Sequence, residues 1–135
     1  MRVFLDANVI FSAAKSNGAV RELLVRLRAA GHILCVDDYA LSEAQRNLSL
    51  KGADSMAALA DLQVHFSVAP FRPTRLPADL QGLLPEKDRP ILAAAIRLKC
   101  DALVTGDRTH FGALYDRSIA GVIIHSPRSL AETLL

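Results

Sequence analysis

Four acidic residues have the types and positions from which a fold could build a reactive site. They are Asp6, Glu43, Asp88 and Asp107, spread through a chain of 135 residues. The three aspartates lie where a predicted strand or helix begins or ends, and Glu43 lies on a helix face of small residues. Carboxylates brought together repel one another, so a protein keeps such a cluster chiefly to hold a hard divalent cation. The sequence therefore predicts a metal-dependent enzyme.

Each acid also has a simpler structural interpretation. An Asp at the start of a helix is most often an N-cap, whose carboxylate accepts hydrogen bonds from backbone N–H groups, and this alternative applies to Asp6, Asp88 and Asp107. For a lone Glu such as Glu43, a solvated position paired with Arg46 or Asn47 is the usual case. Because the simpler interpretation must hold at all four positions at once, the joint pattern favours a site.

Length and composition predict one globular domain that spans residues 1–135. Hydrophobic residues make up 51% of the chain, which is ample for a core. No run approaches the roughly 20 apolar residues of a membrane span, and the N-terminus does not resemble a signal peptide, so we expect a cytoplasmic protein without a membrane partner. The net charge of +2 is compatible with a polyanionic ligand but does not by itself identify one.

Zinc sites and disulfides are not predicted. Cys35 and Cys100 lack metal-site spacing, and we expect them to be reduced residues that pack in the interior. The four histidines show no H-x-x-x-H or mixed Cys/His spacing. Only His110, three residues beyond Asp107, lies near a candidate acid. No glycine-rich dinucleotide motif or Walker motif is present.

Short apolar runs alternate with helical segments along the chain. The predicted strands are Arg2–Leu5, Ile33–Val36, Val64–Ala69, Ala102–Val104 and Val122–Ile124. The predicted helices are Asn8–Ala14, a helix through Val20 and Leu27, Tyr39–Leu50, Ser55–Gln63, Arg89–Lys99, Arg108–Leu114 and one that opens at Ser126. Four prolines between residues 70 and 85 predict a loop. Such alternation implies right-handed crossovers and a parallel sheet that helices cover on both faces.

Two of the acids are expected at the edge of this sheet where ligands bind. In an open parallel sheet, ligands bind beyond the carboxyl ends of the strands, at the point where the strand order reverses. Asp6 directly follows the first strand, and Asp107 follows Ala102–Val104 after only Thr105 and Gly106. Two strand ends are therefore predicted to present carboxylates at one edge.

The four acids lie within four recognisable segments. These are Val3–Val9 (VFLDANV), Ser42–Leu48 (SEAQRNL), Pro85–Ala95 (PEKDRPILAAA) and Leu103–Phe111 (LVTGDRTHF). Together they resemble the motifs of the PIN-domain ribonucleases, whose best-known bacterial members are the VapC-type toxins. The resemblance covers essentially the whole chain with the motifs in family order, and the first and last motifs are the most specific.

The resemblance implies a fold, an activity, partners and a set of site residues. The implied fold is a three-layer α/β/α sandwich with a central parallel sheet, and the implied activity is metal-dependent hydrolysis of RNA phosphodiester bonds. For toxin members it also implies a homodimer that a small antitoxin protein neutralises. The implied metal-binding residues are Asp6, Glu43, Asp88 and Asp107, with Thr105 and Asn8 as polar support.

Two positions depart from the family pattern. Many members have Thr where this chain has Ala7, so a supporting hydroxyl is absent. Some members carry a further acid after the final motif, where this chain has Thr109 and His110. The second departure leaves open whether one or two ions bind.

Phosphodiester hydrolysis needs negative charge neutralised on the phosphoryl oxygens and a water made nucleophilic, and Mg²⁺ or Mn²⁺ can do both. Carboxylate and water ligands suit these hard cations. We assign Asp6 and Asp107 as primary ligands, and Asp88 and Glu43 as residues that complete a second position or orient the attacking water. The Thr105 hydroxyl is expected to fix Asp107 or that water.

Three arginines lie close in sequence to the acids and are candidates for contacts to RNA phosphates. They are Arg46, Arg89 and Arg108, although a lone Arg is more often solvated or ion-paired.

Two other functions remain open. A catalytically silent PIN-like domain that binds RNA or regulates would keep the fold without needing the complete acidic set. A metal-dependent phosphohydrolase acting on small molecules would want a second Asp two residues after Asp6, where this chain has Asn8. The presence of all four acids favours the nuclease.

Overall fold

The computed structural model describes every residue from Met1 to Leu135. Six strands form one sheet in the order β3-β2-β1-β4-β6-β5, in which only β5 runs antiparallel to its neighbour. The strands are β1 (Arg2–Leu5), β2 (Ile33–Asp37), β3 (Ser67–Ala69), β4 (Ala102–Val104), β5 (Ser118–Ile119) and β6 (Val122–His125).

Eight α-helices connect and follow these strands. They are α1 (Ala7–Lys15), α2 (Ala19–Ala29), α3 (Asp38–Ser49), α4 (Ala53–Gln63), α5 (Ala78–Gln81), α6 (Arg89–Arg97), α7 (Arg108–Phe111) and α8 (Pro127–Leu134). The longest, α3, has 12 residues, and none has the length and apolar character to cross a membrane.

The direction in which the chain crosses the sheet places the helices in two layers. It moves from β1 to β2 to β3 through α1–α4, and then returns to β4 through α5 and α6. Right-handed crossovers that run in opposite directions cover opposite faces of a sheet. The predicted three-layer α/β/α sandwich is confirmed, with a sheet that is parallel except at the β5 edge.

The core lies on both faces of the central strands. Val3, Phe4 and Leu5 of β1 are fully buried, as are Leu103 and Val104 of β4. Strands buried on both faces are continuous apolar runs without alternation, which explains why these short segments were recognisable in the sequence. Cys35 and Cys100 are buried free thiols, as expected.

The structure differs from the sequence-based expectations at two strands. The third strand is Ser67–Ala69 and not Val64–Ala69, because the amides of His65 and Phe66 still bond to carbonyls of α4. The antiparallel strand β5 was not predicted, because two residues are too short to carry a periodic signal. The proline-rich segment is a loop as predicted, interrupted by the single turn of α5.

Candidate active site

Asp6 lies where the strand order reverses. β1 and β4 are neighbours, and the chain leaves β1 toward β2 but leaves β4 toward β6. The backbone N–H of Asp6 donates to the carbonyl of Val104 at 3.1 Å, which joins the two strand ends. Its Oδ1 accepts a hydrogen bond from the N–H of Ala7 at 2.7 Å and so caps α1. The cap interpretation of Asp6 is confirmed, and it involves only one of the two carboxylate oxygens.

A polar network holds the other oxygen of Asp6. Its Oδ2 accepts hydrogen bonds from the Thr105 hydroxyl at 2.8 Å and from the Asn8 amide at 3.2 Å. The Oδ1 of Asn8 accepts the Gly106 N–H at 2.8 Å, so Asn8 bridges the loops after β1 and β4. Thr105 contacts Asp107 only by accepting its backbone N–H at 3.1 Å. The hydroxyl of Thr105 therefore orients Asp6 and not the Asp107 carboxylate.

The surroundings of Asp6 make ionisation of its carboxyl group unfavourable. Burial raises the pKa of Asp6 from 3.8 to about 6, while the hydrogen bonds from Thr105 and Ala7 act in the opposite direction. The charges of Glu43 and Asp88 raise this pKa further. The charges of Glu43 and Asp88 are the two smallest contributions, so both acids lie within electrostatic range of Asp6. The ligand atoms that lie within 4.8 Å of one another belong to Asp88, Asp107 and His110, and neither Asp6 nor Glu43 is in that group.

Asp88, Asp107 and His110 form a compact group of potential ligands. One atom from each lies within 4.8 Å of the others. The Nδ1 of His110 is 2.9 Å from Oδ2 of Asp88 and 2.9 Å from Oδ2 of Asp107. Neither contact has hydrogen-bond geometry, so the buried Nδ1 of His110 and Oδ2 of Asp88 have no hydrogen-bond partner. A cation between these atoms would satisfy both, since buried polar atoms are otherwise almost always paired.

The two aspartates of this group differ in their local roles. Asp107 caps α7, because its Oδ1 accepts the N–H of His110 at 3.1 Å. Asp88 precedes α6 but makes no cap hydrogen bond, so the cap interpretation is wrong for Asp88. Burial raises the pKa of Asp88, against the lowering effect of His110 and Lys87. Helix capping therefore does not account for the position of Asp88.

Glu43 is half-buried on α3 and makes no hydrogen bond or ion pair, so the expected alternative of a pair with Arg46 is not observed. It lines a groove of about 200 Å³. The other residues that line this groove are Ala7, Asn8, Phe11 and Asn47. Glu43 is thus the acid with the greatest freedom to contact a ligand.

The three arginines suggested for RNA contacts do not bind the acids. Arg46 and Arg108 are exposed, and the Nε of Arg89 donates to the carbonyl of Leu84 at 3.1 Å. Their contacts with RNA remain a prediction.

Two features of this edge were not recognised in the sequence. His110 was noted only as a neighbour of Asp107, although its i+3 position was a signal that both side chains share a helix face. Asp37 at the end of β2 caps α3 by accepting the N–H of Ala40 at 3.0 Å. It is also fully buried, with Arg97 at 4.0 Å, so it belongs to a separate structural ion pair.

Comparison with known proteins identifies the family. A model of the PIN domain matches residues 2–109, and the chain belongs to the PIN-domain family. Among solved structures, it is similar to a chain in the structure of VapBC2 from Rickettsia felis bound to a DNA fragment from their promoter. That match has 18% sequence identity and a TM-score of 0.68, and it covers 93% of this chain and 98% of the other. No curated protein sequence matches.

Proposed function

We propose that this protein is a metal-dependent endoribonuclease, and the toxin of a toxin–antitoxin pair. The proposal rests on the position of the acids near the point where the strand order reverses. There, the buried Oδ2 of Asp88 and Nδ1 of His110 have no hydrogen-bond partner and are free to act as metal ligands. Membership of the PIN-domain family supports nuclease activity. The likeness to a VapBC2 chain supports the toxin role, because the motifs resemble those of VapC-type toxins. The proposal implies a cytoplasmic protein.

The donor set fits Mg²⁺ or Mn²⁺. The carboxylates of Asp6, Glu43, Asp88 and Asp107 would hold the ion, because hard divalent cations prefer oxygen ligands. The Nδ1 of His110 is an additional donor that suits a transition-metal ion such as Mn²⁺ better than Mg²⁺. When bound, such an ion supplies charge neutralisation at the phosphoryl oxygens and a lower pKa for the attacking water.

The side chains around the proposed metal site have separate roles. Thr105 and Asn8 hold Asp6 in one orientation, so that its carboxylate needs no rearrangement when substrate binds. Glu43 has no protein partner and lines the groove, so it is available to accept a hydrogen bond from the attacking water and orient it. Arg46, Arg89 and Arg108 are proposed to contact RNA phosphates.

Cleavage assays on single-stranded and structured RNA test this proposal. We expect cleavage with Mg²⁺ or Mn²⁺ that is abolished by EDTA. Asp107→Asn should lower the rate at least about a hundredfold, because it removes a ligand charge that acts in the transition state. Asp61→Asn is the matched control, since Asp61 is an exposed acid on α4 away from the site, and it should cleave at the wild-type rate.

Three outcomes would contradict parts of this assignment. Full activity in EDTA, or restoration by Zn²⁺ alone, would contradict the metal. Near-wild-type turnover by Asp107→Asn would contradict the site. A folded protein that binds RNA but cleaves none with either ion would support the alternative of a catalytically silent RNA-binding domain.

A further inference from the structure

An aromatic pair lies at the carboxyl ends of the strands, on the same side of the molecule as the acids. Tyr39 is in the first turn of α3, directly after β2, and Phe71 is two residues beyond the end of β3. Because β2 and β3 are parallel neighbours, their carboxyl ends lie side by side. The two rings stack, with centroids 5.4 Å apart and an angle of 29° between their planes.

This pair borders the carboxylate site. The hydroxyl of Tyr39 donates to the carbonyl of Lys87 at 3.2 Å, and Lys87 immediately precedes Asp88. Burial raises the pKa of Tyr39, and the charges of Glu43 and Asp88 raise it further. At the carboxyl ends of the strands, acids therefore lie beyond β1 and β4, and aromatic rings lie beyond β2 and β3.

Phe71 is accessible to a ligand, although it is held in place. Its exposed fraction is 42%, and it is the only aromatic residue among the exposed large hydrophobic residues. The stack on Tyr39 holds the ring, and Arg97 donates to the carbonyl of the preceding residue, Pro70, at 3.3 Å. An apolar ring that a fold both exposes and orients can serve as a contact surface.

The surroundings of Phe71 favour an anionic ligand. Phe71 lines a cavity of about 240 Å³, together with Arg75 and Arg89. Glu86 is the only acidic residue in the lining, so the two arginines outnumber it. The lining also includes Leu76, Pro73 and Pro90, so the cavity combines an apolar surface with positive charge. An aromatic residue and two arginines that line one cavity match the base and the phosphate of a nucleotide.

We propose that Phe71 is a stacking platform for an unpaired base of the RNA substrate, and that Arg75 and Arg89 contact the adjoining phosphates. The inference rests on the proposed function, since it describes how the RNA that is cleaved would be held beside the acids. Stacking on an aromatic ring requires an accessible base face, which a duplex does not offer. The site therefore selects single-stranded RNA, or a loop, over a continuous helix.

The absence of tryptophan from the chain allows a direct test. Phe71→Trp, combined with Asp107→Asn to block cleavage, introduces a single tryptophan at the proposed platform, which can be excited selectively over the two tyrosines. We expect a single-stranded RNA oligonucleotide to quench its emission, and a duplex of the same length to quench it much less. Val64→Trp in the same background is the control, because Val64 is 78% exposed and lies before β3, near the amino ends of the strands and away from the acids at their carboxyl ends. Equal quenching of both variants, or RNA binding without quenching of Phe71→Trp, would overturn the proposal.

The affinity for RNA gives a second readout. Phe71→Leu keeps an apolar side chain but removes the ring, and it should weaken single-strand binding about tenfold, with a raised KM and an unchanged kcat. Phe71→Tyr should bind like the wild type, and thermal melting should show that both variants are folded. If the protein cleaves RNA but Phe71→Leu has the wild-type KM, the stacking proposal is wrong and the nuclease proposal still holds. If the variants change binding as expected but the protein cleaves no RNA, the nuclease proposal is wrong and the stacking proposal still holds.

Discussion

Asp6 is the residue of the site at which burial opposes ionisation most strongly. The folded protein raises its pKa from 3.8 to about 6, although three donors bond to its carboxylate. An acid whose pKa is higher in the folded state binds more protons there than in the unfolded chain, so it stabilises the fold at low pH and loses this contribution as pH rises through the folded pKa.

The metal-free protein should therefore lose stability between about pH 4 and pH 6 on account of Asp6. A shift of this size corresponds to about 3 kcal/mol in the free energy of unfolding. Asp6→Asn removes the titrating group but keeps an oxygen that can cap α1, so its stability should vary much less over this range. Urea unfolding in EDTA at a series of pH values measures the difference. An equal slope in both proteins would contradict the assignment.

His110 is a candidate metal ligand that the structure adds to the four acids. Its Nδ1 lies 2.9 Å from both Asp88 and Asp107 without a hydrogen bond to either. We expect His110→Asn to weaken the binding of Mn²⁺ about tenfold or more and that of Mg²⁺ less, because nitrogen ligands favour the transition metal. Titration followed by the electron paramagnetic resonance of Mn²⁺, with Mg²⁺ as competitor, measures both affinities. If both affinities are unchanged, the imidazole is not a ligand.

At the scale of elements, Arg97 of α6 connects segments that are distant in the sequence. Its guanidinium lies 4.0 Å from the buried Oδ2 of Asp37 at the end of β2, and it donates to Pro70 after β3. Burial raises the pKa of Asp37, and both the N–H of Ala40 and the charge of Arg97 oppose this shift. This ion pair joins α6 to the start of α3, the helix that carries Tyr39 and Glu43.

Arg97→Leu should destabilise the protein by about 3 kcal/mol, because it leaves the Asp37 carboxylate buried without a counter-charge. Asp37→Asn in the same background should recover part of the loss, since an amide can still cap α3. Arg128→Leu is the matched control, because Arg128 pairs with Glu132 in a fully solvated position and should have no measurable effect. Urea unfolding of the three variants and the wild type gives the comparison. A small effect of Arg97→Leu would show that water or another group compensates Asp37.

At the scale of the whole molecule, the acidic cleft formed around Asp6, Glu43, Asp88 and Asp107 lies in a chain whose net charge is +2. The negative charges of this cleft attract a cation, and in the absence of metal the guanidinium or ammonium group of a partner can take that place. We therefore expect, as the resemblance to toxins implies, a homodimer and an inhibitor segment that places an Arg or Lys near Asp6 and Asp107.

Two measurements test this expectation. Light scattering should give the mass of a dimer, and a monodisperse monomer would contradict that half. Asp107→Asn should weaken binding of an inhibitor protein that occupies the acidic site, and added salt should weaken it further. A complex whose affinity depends on neither change would show that the inhibitor leaves the cleft open.

The sequence by itself determined the features that depend on neighbouring residues. The apolar run Arg2–Leu5, the cap at Ser126 and the position of Asp6 directly after a strand all follow from local periodicity and local hydrogen bonding. From these, the α/β/α sandwich and the edge that carries Asp6 and Asp107 could be predicted. The motifs added the family before any contact was known.

Only the tertiary structure decided which side chains meet. Glu43 and Asp88 act on Asp6, and Phe71 stacks on Tyr39, across separations that no local pattern encodes. The absence of a cap at Asp88 likewise depends on where its carboxylate points in the folded chain. Such contacts follow from the strand order and from the packing of helices on the sheet, which are set by the burial of the whole core and not by the residues on either side.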